Sequence, residues 1–355
     1  MTAMAAQSLG YGVRVLDPDP HCAASAVADE VIVSPFDDPA GAETLARKSA
    51  VVTYEIEQIG QAALAAAARH APVRPSPAVL AIVQDRLTQK NWLSQHGFPV
   101  GPYRPASSAA EVEAAARALG GIRLKARRGG YDGRSQAMVP HPADAAAAFQ
   151  SLGGEPVVCE RELVLRRELS VMVARAEQGE MKVFPPAQNW HQDGILSLSV
   201  LPGALEPALV AQAQELGQAI AKSMEVCGLL AVEFFETEAH GLLVNELSPR
   251  PHNTFHATET ACLTSQFEQL VRAVCGLPLG LTDMLRPTAL ANLLGDLWVG
   301  RDHPPRFDRA LALPGVYLTL YGKQPRHGRK VGHLLAVGHT PEEALQLVRT
   351  ARESL

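Results

Sequence analysis

The chain has 355 residues, of which 47% are hydrophobic and 19% are charged, and its net charge is −5. This composition is typical of a folded globular protein and excludes a disordered or fibrous chain. The negative net charge argues against nucleic acid as a partner, and no apolar run is long enough for a membrane-spanning helix. The length exceeds what one hydrophobic core usually serves, so several domains are expected.

The cysteine pattern predicts free thiols. The five cysteines are Cys22, Cys159, Cys227, Cys262 and Cys275. An odd number without a CxxC pair does not suggest a disulfide framework or a zinc site. The N-terminal residues also lack the pattern of a secretory signal, so we expect a cytoplasmic protein.

The N-terminal region reads as a Rossmann-like unit. A helix over 4–9 is followed by short strands at 13–17, 31–33 and 51–55, and alanine-rich helices lie between them. Such alternation predicts a parallel sheet. The strand and glycine-rich turn that should precede the first helix are absent, so we expect this sheet to lack its first strand. The Pro-Ser-Pro run at 75–77 predicts a boundary.

The rest of the chain predicts two further domains. A helix over 87–96 and strands at 122–125 and 157–160 are followed by helices over 206–227 and 264–275. A small C-terminal region then reads as strands near 289–294 and 316–318 with a closing helix from Pro341. We place the domains at 1–77, 78–285 (with a lid at about 100–163) and 286–355.

Two strand-like runs each carry a carboxylate. Glu233 follows Ala-Val and Glu246 follows Val-Asn, and a short turn separates the two runs. A hairpin would bring both carboxylates side by side, where hard oxygen ligands suit Mg²⁺ carried by a nucleotide. Buried acids are otherwise costly, and a salt bridge with the nearby Arg250 is the alternative interpretation.

A glycine-rich loop follows a strand that ends in Lys125. Its backbone N–H groups could fold over phosphate oxygens while the lysine reaches a phosphate. The loop, 129–136, matches neither GxxxxGK[ST] nor GxGxxG after a first strand, so P-loop and Rossmann dinucleotide sites are excluded by their own motifs. A solvated basic turn is the alternative.

Acidic residues and one histidine follow this loop. Glu160, Glu162 and Glu168 lie at and beyond the end of an apolar strand, whose edge could hold an adenine and a ribose. Isolated acids are more often surface charges, and a lone histidine such as His191 is more often structural. Their order after the glycine loop is what makes them candidates.

A basic turn lies near the C-terminus. Four fixed cations fall within eight residues, namely Lys323, Arg326, Arg329 and Lys330. Such a turn could bind a phosphate monoester, although for the turn by itself solvated surface charge is the favoured interpretation.

In combination, these motifs resemble the ATP-grasp superfamily and, within it, the N5-carboxyaminoimidazole ribonucleotide synthetase family. The similarity runs from about residue 12 to 338. The most specific parts are Arg-Pro-His-Asn at 250–253 and Thr-Ser-Gln-Phe-Glu-Gln at 264–269. Supporting parts are the stretches 16–20, 51–55, 84–87, 127–134, 193–196 and 321–330.

The resemblance implies an ATP-grasp fold with α/β and α+β parts, a Rossmann-like N-terminal domain and a small β-rich C-terminal domain. ATP would bind between two subdomains, with Mg²⁺ on Glu233 and Glu246. The implied nucleotide-site residues are Arg86, Lys125, Gly130, Tyr131, Asp132, Gly133, Arg134, Ser135, Gln136, Glu160, Arg161, Glu162, Leu163, Glu168, His191, Asn245 and Glu246. The implied residues for the substrate, 5-aminoimidazole ribonucleotide, are Tyr131, Asp132, Arg134, His252, Lys323, Arg329 and Lys330.

The resemblance also implies the reaction. ATP would activate bicarbonate as carboxyphosphate, which the exocyclic amine of the ribonucleotide would then attack, in de novo purine biosynthesis. Lys125, Arg134 and Arg250 would offset charge, and we expect Asp132 to orient the amine and accept its proton. The partners would be small molecules, with no nucleic acid and no membrane, in a homodimer.

Some residues depart from the family pattern. Ser135 replaces a loop glycine, Arg161 replaces an acid, and Thr254-Phe255 replaces Ser-Gly, so we expect Phe255 to narrow the substrate pocket. Two alternatives stay open: another ATP-grasp ligase such as the formate-dependent glycinamide ribonucleotide transformylase, or a non-catalytic ligand-binding homologue.

Overall fold

The computed structural model describes residues 1–129, 135–300 and 303–355. In these residues the helices are α1 (Thr2–Ser8), α2 (Pro39–Arg47), α3 (Gln61–Ala68), α4 (Pro77–Val83), α5 (Arg86–Gln95), α6 (Ala109–Leu119), α7 (Ala145–Ser151), α8 (Pro207–Ser223), α9 (Thr258–Ala261), α10 (Gln266–Cys275), α11 (Phe307–Leu311) and α12 (Pro341–Glu353). The strands are β1 (Arg14–Asp17), β2 (Glu30–Val33), β3 (Tyr103–Ala106), β4 (Ile122–Ala126), β5 (Gln136–Val139), β6 (Val157–Arg161), β7 (Leu165–Arg175), β8 (Met181–Val183), β9 (Ala187–Gln192), β10 (Ile195–Leu201), β11 (Gly228–Thr237), β12 (Gly241–Ser248), β13 (Thr288–Leu294), β14 (Val316–Leu320) and β15 (Lys330–Val337).

The N-terminal unit contains a parallel pair of strands. The register of β1 and β2 places Arg14 opposite Glu30, and the two residues also form an ion pair. The strand expected at 51–55 is wrong as a full strand, because only Val52 forms a bridge, with Val73. Helix α1 is the first element and packs against α10.

A small four-stranded sheet forms a separate layer. Its strand order is β3-β6-β4-β5, and all of its pairs are antiparallel. One face packs on α6 and α7 through a core that includes Ile122, Leu124, Val157 and Phe149. Helix α6 begins at a cap signal readable in the sequence, because the Ser108 hydroxyl accepts from the backbone N–H of Glu111.

The central sheet carries most of the site. It has nine strands in the order β12-β11-β7-β9-β10-β13-β15-β14, with β8 beside β7. Its strand pairs are antiparallel, whereas β1 and β2 of the N-terminal unit pair in parallel. The C-terminal strands β13 to β15 therefore continue the sheet that contains Glu233 and Glu246.

Apolar packing covers both faces of this sheet. On one face, α8 and the N-terminal unit pack against residues such as Val171, Val232 and Phe234. On the other face, α10 packs near Met172 and Leu229. All five cysteines are free thiols, as the sequence predicts. Among the described residues, each helix is too short or too polar to span a bilayer.

Candidate active site

The hairpin of β11 and β12 brings the two predicted carboxylates together. Glu233 lies directly opposite Glu246 in the strand register, which confirms that they are side by side. The next pair is Phe234 with Val244, so Asn245 is an extra residue on β12. Such a bulge re-aims side chains, and here both Asn245 and Glu246 face the cleft, which successive residues of a regular strand could not do.

The hairpin forms one wall of a cleft of about 330 Å³ between the small sheet and the central sheet. The predicted site residues that line it are Arg86, Lys125, Ser135, Gln136, Glu160, Arg161, Glu162, Leu163, Glu168, His191, Glu233, Asn245, Glu246, Arg250, His252 and Lys330. Two predicted residues, Lys323 and Arg329, are not among its lining residues. Gly130, Tyr131, Asp132, Gly133 and Arg134 lie outside the described residues.

The cleft also contains functional candidates that sequence reasoning missed. Glu57, Lys90, Arg123 and Asn253 line it as well. Asn253 is part of the Arg-Pro-His-Asn motif, and both of its amide atoms are buried without a hydrogen-bond partner in the described part of the chain. A ligand that both donates and accepts hydrogen bonds would satisfy that amide.

Neither carboxylate of the hairpin forms the salt bridge with Arg250 that was the alternative interpretation. Glu246 Oε2 instead accepts from Arg86 Nη1 at 2.9 Å, and Glu233 Oε1 lies 3.2 Å from His252 Nε2. Arg250 Nε pairs with Glu57 Oε1 at 3.0 Å.

The electrostatic states of the two carboxylates differ. Burial raises the pKa of Glu233 to about 7, and the charge of Glu246 adds to this rise. Burial also opposes the ionisation of Glu246, but Arg86 and Lys125 outweigh it and hold its pKa at about 2. The two groups therefore titrate as a pair with well-separated pKa values.

A divalent cation fits this pair of carboxylates. Two opposed oxygen ligands suit Mg²⁺, which usually takes one or two carboxylates and completes its shell with phosphate oxygens and water. The described residues contain no cluster of three or more His, Cys, Asp or Glu side chains placed to hold a metal by themselves. A metal at this pair would therefore need further ligands beyond the two carboxylates.

Two lysines share one buried carboxylate in the cleft. Glu160 Oε2 accepts from Lys125 Nζ at 3.0 Å, and Glu160 Oε1 lies 3.3 Å from Lys90 Nζ. Burial opposes the ionisation of Glu160, but Lys125 and Lys90 outweigh it and lower its pKa to about 2. Burial lowers the pKa of Lys90, although Glu160 counteracts this shift. Lys90, Lys125 and Arg86 together carry one positive charge more than Glu160 and Glu246 neutralise, which favours a phosphate ligand.

Glu168 and His191 lie on neighbouring strands. His191 Nδ1 is 2.9 Å from Glu168 Oε2. Burial lowers the pKa of the imidazole, but Glu168 and Glu233 outweigh burial, so the net pKa is raised. His191 therefore interacts electrostatically with two of the cleft's carboxylates, Glu168 and Glu233.

The start of the glycine loop is anchored by a residue that the sequence reasoning did not assign. Asp85 accepts from Arg127 Nη2 at 2.8 Å and from Arg128 Nε at 3.2 Å. The same carboxylate caps α5 through the N–H groups of Leu87 and Thr88. An N-cap aspartate directly before Arg86 was the readable signal for this anchor.

The expected effect of Phe255 is wrong. Its side chain is fully buried and packs beside Phe184, with ring centroids 6.2 Å apart. It therefore fills the core beneath α10 and is not among the residues that line the cleft. Arg161 does line the cleft, and its Nε donates to the carbonyl of Leu119 at 3.0 Å.

Family models match three successive parts of the chain. They are the ribonucleotide synthetase preATP-grasp domain over 1–84, the ATP-grasp domain over 91–267 and the phosphoribosylaminoimidazole carboxylase C-terminal domain over 288–347. The fold and the site thus define an ATP-grasp enzyme, which confirms the predicted fold class.

Individual relatives narrow this class. The N5-carboxyaminoimidazole ribonucleotide synthase of Brucella melitensis is 39% identical, and the match covers 95% of this chain and 92% of the relative. A solved N5-carboxyaminoimidazole ribonucleotide synthetase in complex with ADP is 36% identical with a TM-score of 0.93, covering 99% of this chain and 92% of that chain. The Aspergillus clavatus synthase solved with ADP and 5-aminoimidazole ribonucleotide is 25% identical with a TM-score of 0.89, covering 100% of this chain and 94% of that chain. The chain belongs to the N5-carboxyaminoimidazole ribonucleotide synthase family of ATP-dependent ligases.

Proposed function

We propose that this protein uses ATP to carboxylate 5-aminoimidazole ribonucleotide to N5-carboxyaminoimidazole ribonucleotide in purine biosynthesis. Bicarbonate is the carbon source, and the products include ADP and phosphate. The observation that carries the proposal is the cleft in which Glu233 and Glu246 face Lys125, Arg86 and Lys330. This combination of carboxylates and cations suits a magnesium nucleotide next to an anionic substrate.

The nucleotide is assigned to the side of the cleft that the small sheet covers. Lys125 and Arg86 would contact phosphate oxygens, and the edge of β6 from Glu160 to Leu163 would hold the adenine. Glu233 and Glu246 would hold the magnesium ion, which when bound offsets negative charge on the transferring phosphoryl group. Arg86 would exchange its bond to Glu246 for phosphate contacts.

The chemical steps balance without a further reactant. A bicarbonate oxygen attacks the terminal phosphorus of ATP, and ADP leaves, which gives carboxyphosphate. The exocyclic amine of the ribonucleotide then attacks the carboxyl carbon, phosphate leaves, and the amine loses one proton. Arg250, held by Glu57, would stabilise charge in both steps, and Asp132 is the residue we assign to the proton.

The ribonucleotide is assigned to the side beyond Glu57. A second cavity of about 400 Å³ shares Glu57, Arg86 and Glu246 with the first one. It opens toward Arg127 and Arg128 at the start of the glycine loop. Tyr131, Asp132, Arg134 and His252 remain the assigned substrate residues. Lys330 would contact the substrate from within the cleft. Lys323 and Arg329 do not line the cleft and would interact with the substrate from outside it.

Other assignments remain proposals of the same kind. The domain limits at 77 and 285, a homodimer and a cytoplasmic location are consistent with the proposed enzyme. The homodimer is tested by light scattering of the purified chain, where a mass of one chain would reject it.

The function is tested by two parallel reactions. Purified protein with ATP and magnesium is incubated with 5-aminoimidazole ribonucleotide and ¹³C-bicarbonate, or with glycinamide ribonucleotide and formate. We expect ADP release and ¹³C incorporation in the first mixture alone. Turnover in the second mixture would favour the transformylase alternative, and no turnover in either mixture by folded, ADP-binding protein would favour a non-catalytic homologue.

Asp132→Asn tests the proton acceptor separately. We expect unchanged ATP binding but carboxylation slowed by about 100-fold or more, as for loss of a general base. A normal carboxylation rate in this variant would reject the role of Asp132.

A further inference from the structure

A buried chain of polar side chains leads from the interior of the central sheet to His252. Its members are Ser199 on β10, Asn189 on β9, Ser170 on β7 and Thr254 in the turn that follows β12, and each is at most 4% exposed. Buried polar groups are retained at a cost unless they are hydrogen-bonded. Four of them in one row, ending at a cleft histidine, require an explanation beyond packing.

Along this series of buried side chains, each residue donates a hydrogen bond to the next one toward His252. Ser199 Oγ, which also lies 3.2 Å from the Thr254 carbonyl oxygen, donates to Asn189 Oδ1 at 2.8 Å, and Asn189 Nδ2 donates to Ser170 Oγ at 3.0 Å. Ser170 Oγ in turn donates to Thr254 Oγ1 at 3.0 Å. Since Thr254 Oγ1 accepts this bond, its own proton is available for the neighbouring His252 Nδ1, which lies 2.8 Å away.

The contact between His252 and Glu233, at the other end of this series of hydrogen bonds, is consistent with the same donor-to-acceptor direction. His252 Nε2 lies 3.2 Å from Glu233 Oε1. Above its pKa of about 7, the Glu233 carboxylate is ionised and can only accept, so the imidazole proton then belongs on Nε2, and Nδ1 is left as the acceptor for Thr254. The donors and acceptors therefore match from Ser199 to Glu233.

The backbone of His252 is fixed independently of its ring. Gln266 accepts from the His252 backbone N–H at 2.8 Å and donates to its carbonyl at 3.0 Å. This two-point contact explains the glutamine in the Thr-Ser-Gln-Phe-Glu-Gln stretch. With the backbone held by Gln266, the orientation of the His252 ring and the position of its proton are set by its two ring contacts, Thr254 at Nδ1 and Glu233 at Nε2.

We infer that Thr254 is a positioning residue that holds His252 as the Nε2–H tautomer and directs this proton at Glu233. The hydroxyl is the functional group of Thr254, which is why threonine can stand where the family pattern has serine. Hydrogen-bond partners of this kind orient the groups around a metal site and its carboxylates. The link to turnover rests on the proposed function, whereas the tautomer can be read without turnover.

The test uses full-length protein with ¹⁵N-labelled histidine rings, in which His252 is assigned by comparison with His252→Gln. In the wild type at pH 8.5, where Glu233 is ionised, NMR correlations are expected to show the proton of His252 on Nε2. Thr254→Ser keeps the hydroxyl and should retain this tautomer. Thr254→Val removes it and should give a mixture of tautomers or the Nδ1–H form. A proton on Nδ1 in the wild type, or an unchanged tautomer in Thr254→Val, overturns the inference.

Kinetics and a matched control complete the test. Thr254→Val should lower kcat by about tenfold or more with the KM for ATP unchanged, and Thr254→Ser should restore it. The control is Thr288→Val, which also replaces a fully buried threonine but one whose hydroxyl contacts Thr260 and the Arg286 carbonyl. If Thr254→Val does not fold, the wild-type spectrum still decides the position of the proton. Failure of the proposed function would appear as absent turnover in wild-type protein with the Nε2–H tautomer intact.

Discussion

Arg250 and Glu57 form an ion pair between the N-terminal unit and the segment that follows the β11–β12 hairpin, with 3.0 Å between Nε and Oε1. Both side chains are largely buried, and Ser248 also donates to Glu57 at 3.0 Å. Burial raises the pKa of Glu57, and Arg250 counteracts that rise. The contribution of this ion pair to the free energy of unfolding is therefore expected to depend on pH.

Removal of the arginine should destabilise the protein in a pH-dependent way. Arg250→Met leaves Glu57 buried without its cation, so the pKa of Glu57 rises further and the carboxylate becomes costlier as pH increases. We expect a loss of about 3 kcal/mol in the free energy of unfolding at pH 8, and a smaller loss at pH 6, measured by urea denaturation. The double variant Glu57→Gln with Arg250→Met should recover part of the loss. Equal losses at both pH values would contradict this reading.

The raised pKa of Glu233 predicts a second pH effect, in protein kept free of metal with EDTA. A carboxyl with a pKa of about 7 in the folded state and 4.5 as its ordinary value binds more protons when folded. Its contribution to stability is therefore complete below about 4.5 and is lost as pH rises through about 7. Relative to Glu233→Gln, the wild type should lose about 3 kcal/mol between pH 4.5 and pH 8.

Magnesium with ADP provides the complementary measurement for Glu233. It should restore stability at pH 8 in the wild type and less so in Glu233→Gln. The control is Glu238→Gln, which changes an exposed acid in the turn of the same hairpin. A pH profile of stability that is identical in wild type and Glu233→Gln would show that the pKa of Glu233 is not raised.

Lys90 is expected to contribute to nucleotide binding through Glu160. When Lys90 is present, Glu160 interacts with two cations. Lys125 can therefore move from Glu160 to a phosphate while Lys90 still neutralises the buried carboxylate. Lys90→Met should therefore weaken ADP binding about tenfold, measured by calorimetry. Lys90→Arg should retain part of the affinity.

The control for Lys90 is Lys182→Met, which removes a half-buried lysine whose Nζ lies 3.8 Å from Glu180. It should leave ADP binding unchanged. Unaltered ADP affinity in folded Lys90→Met would place the role of Lys90 in folding alone.

Phe255 should matter for stability and not for substrate size. Phe255→Gly removes a fully buried ring, so we expect a loss of about 3–5 kcal/mol in the free energy of unfolding. Phe255→Leu keeps much of the volume and should cost less. In the folded Phe255→Leu protein, the KM for 5-aminoimidazole ribonucleotide should be unchanged, and a lowered KM would restore the idea that this residue narrows the pocket.

The sequence predicted those parts of the fold that depend on residues close together in the chain. The Glu233 and Glu246 pairing was readable because both runs are apolar and a short turn joins them. The strand at 51–55 was overpredicted, because among the described residues this run forms a single β-bridge, from Val52 to Val73, and no longer ladder. Burial of Phe255 likewise depends on Phe184, which is distant in sequence.

Some residues of the site were likewise predictable from the sequence, and others were not. Lys125, Glu160 and Glu246 follow from motif order, whereas Glu57 and Lys90 have no sequence pattern of their own and are recognised only by their partners. The roles of Thr254 and Gln266 required distances to atoms on other strands. A sequence shows which side chains can form hydrogen bonds, but the direction of a proton depends on the complete set of neighbours.

Because β13 pairs with β10, the C-terminal region is not an appendage that could be cut off or exchanged. A protein ending before Thr288 would leave the edge of β10 unpaired and the apolar residues Leu198 and Val200 without their cover. An open, apolar strand edge promotes association between chains. Shortened versions of this enzyme should therefore be lost to aggregation before any defect in chemistry could be seen, and engineering of the C-terminal helix should preserve its packing on this sheet.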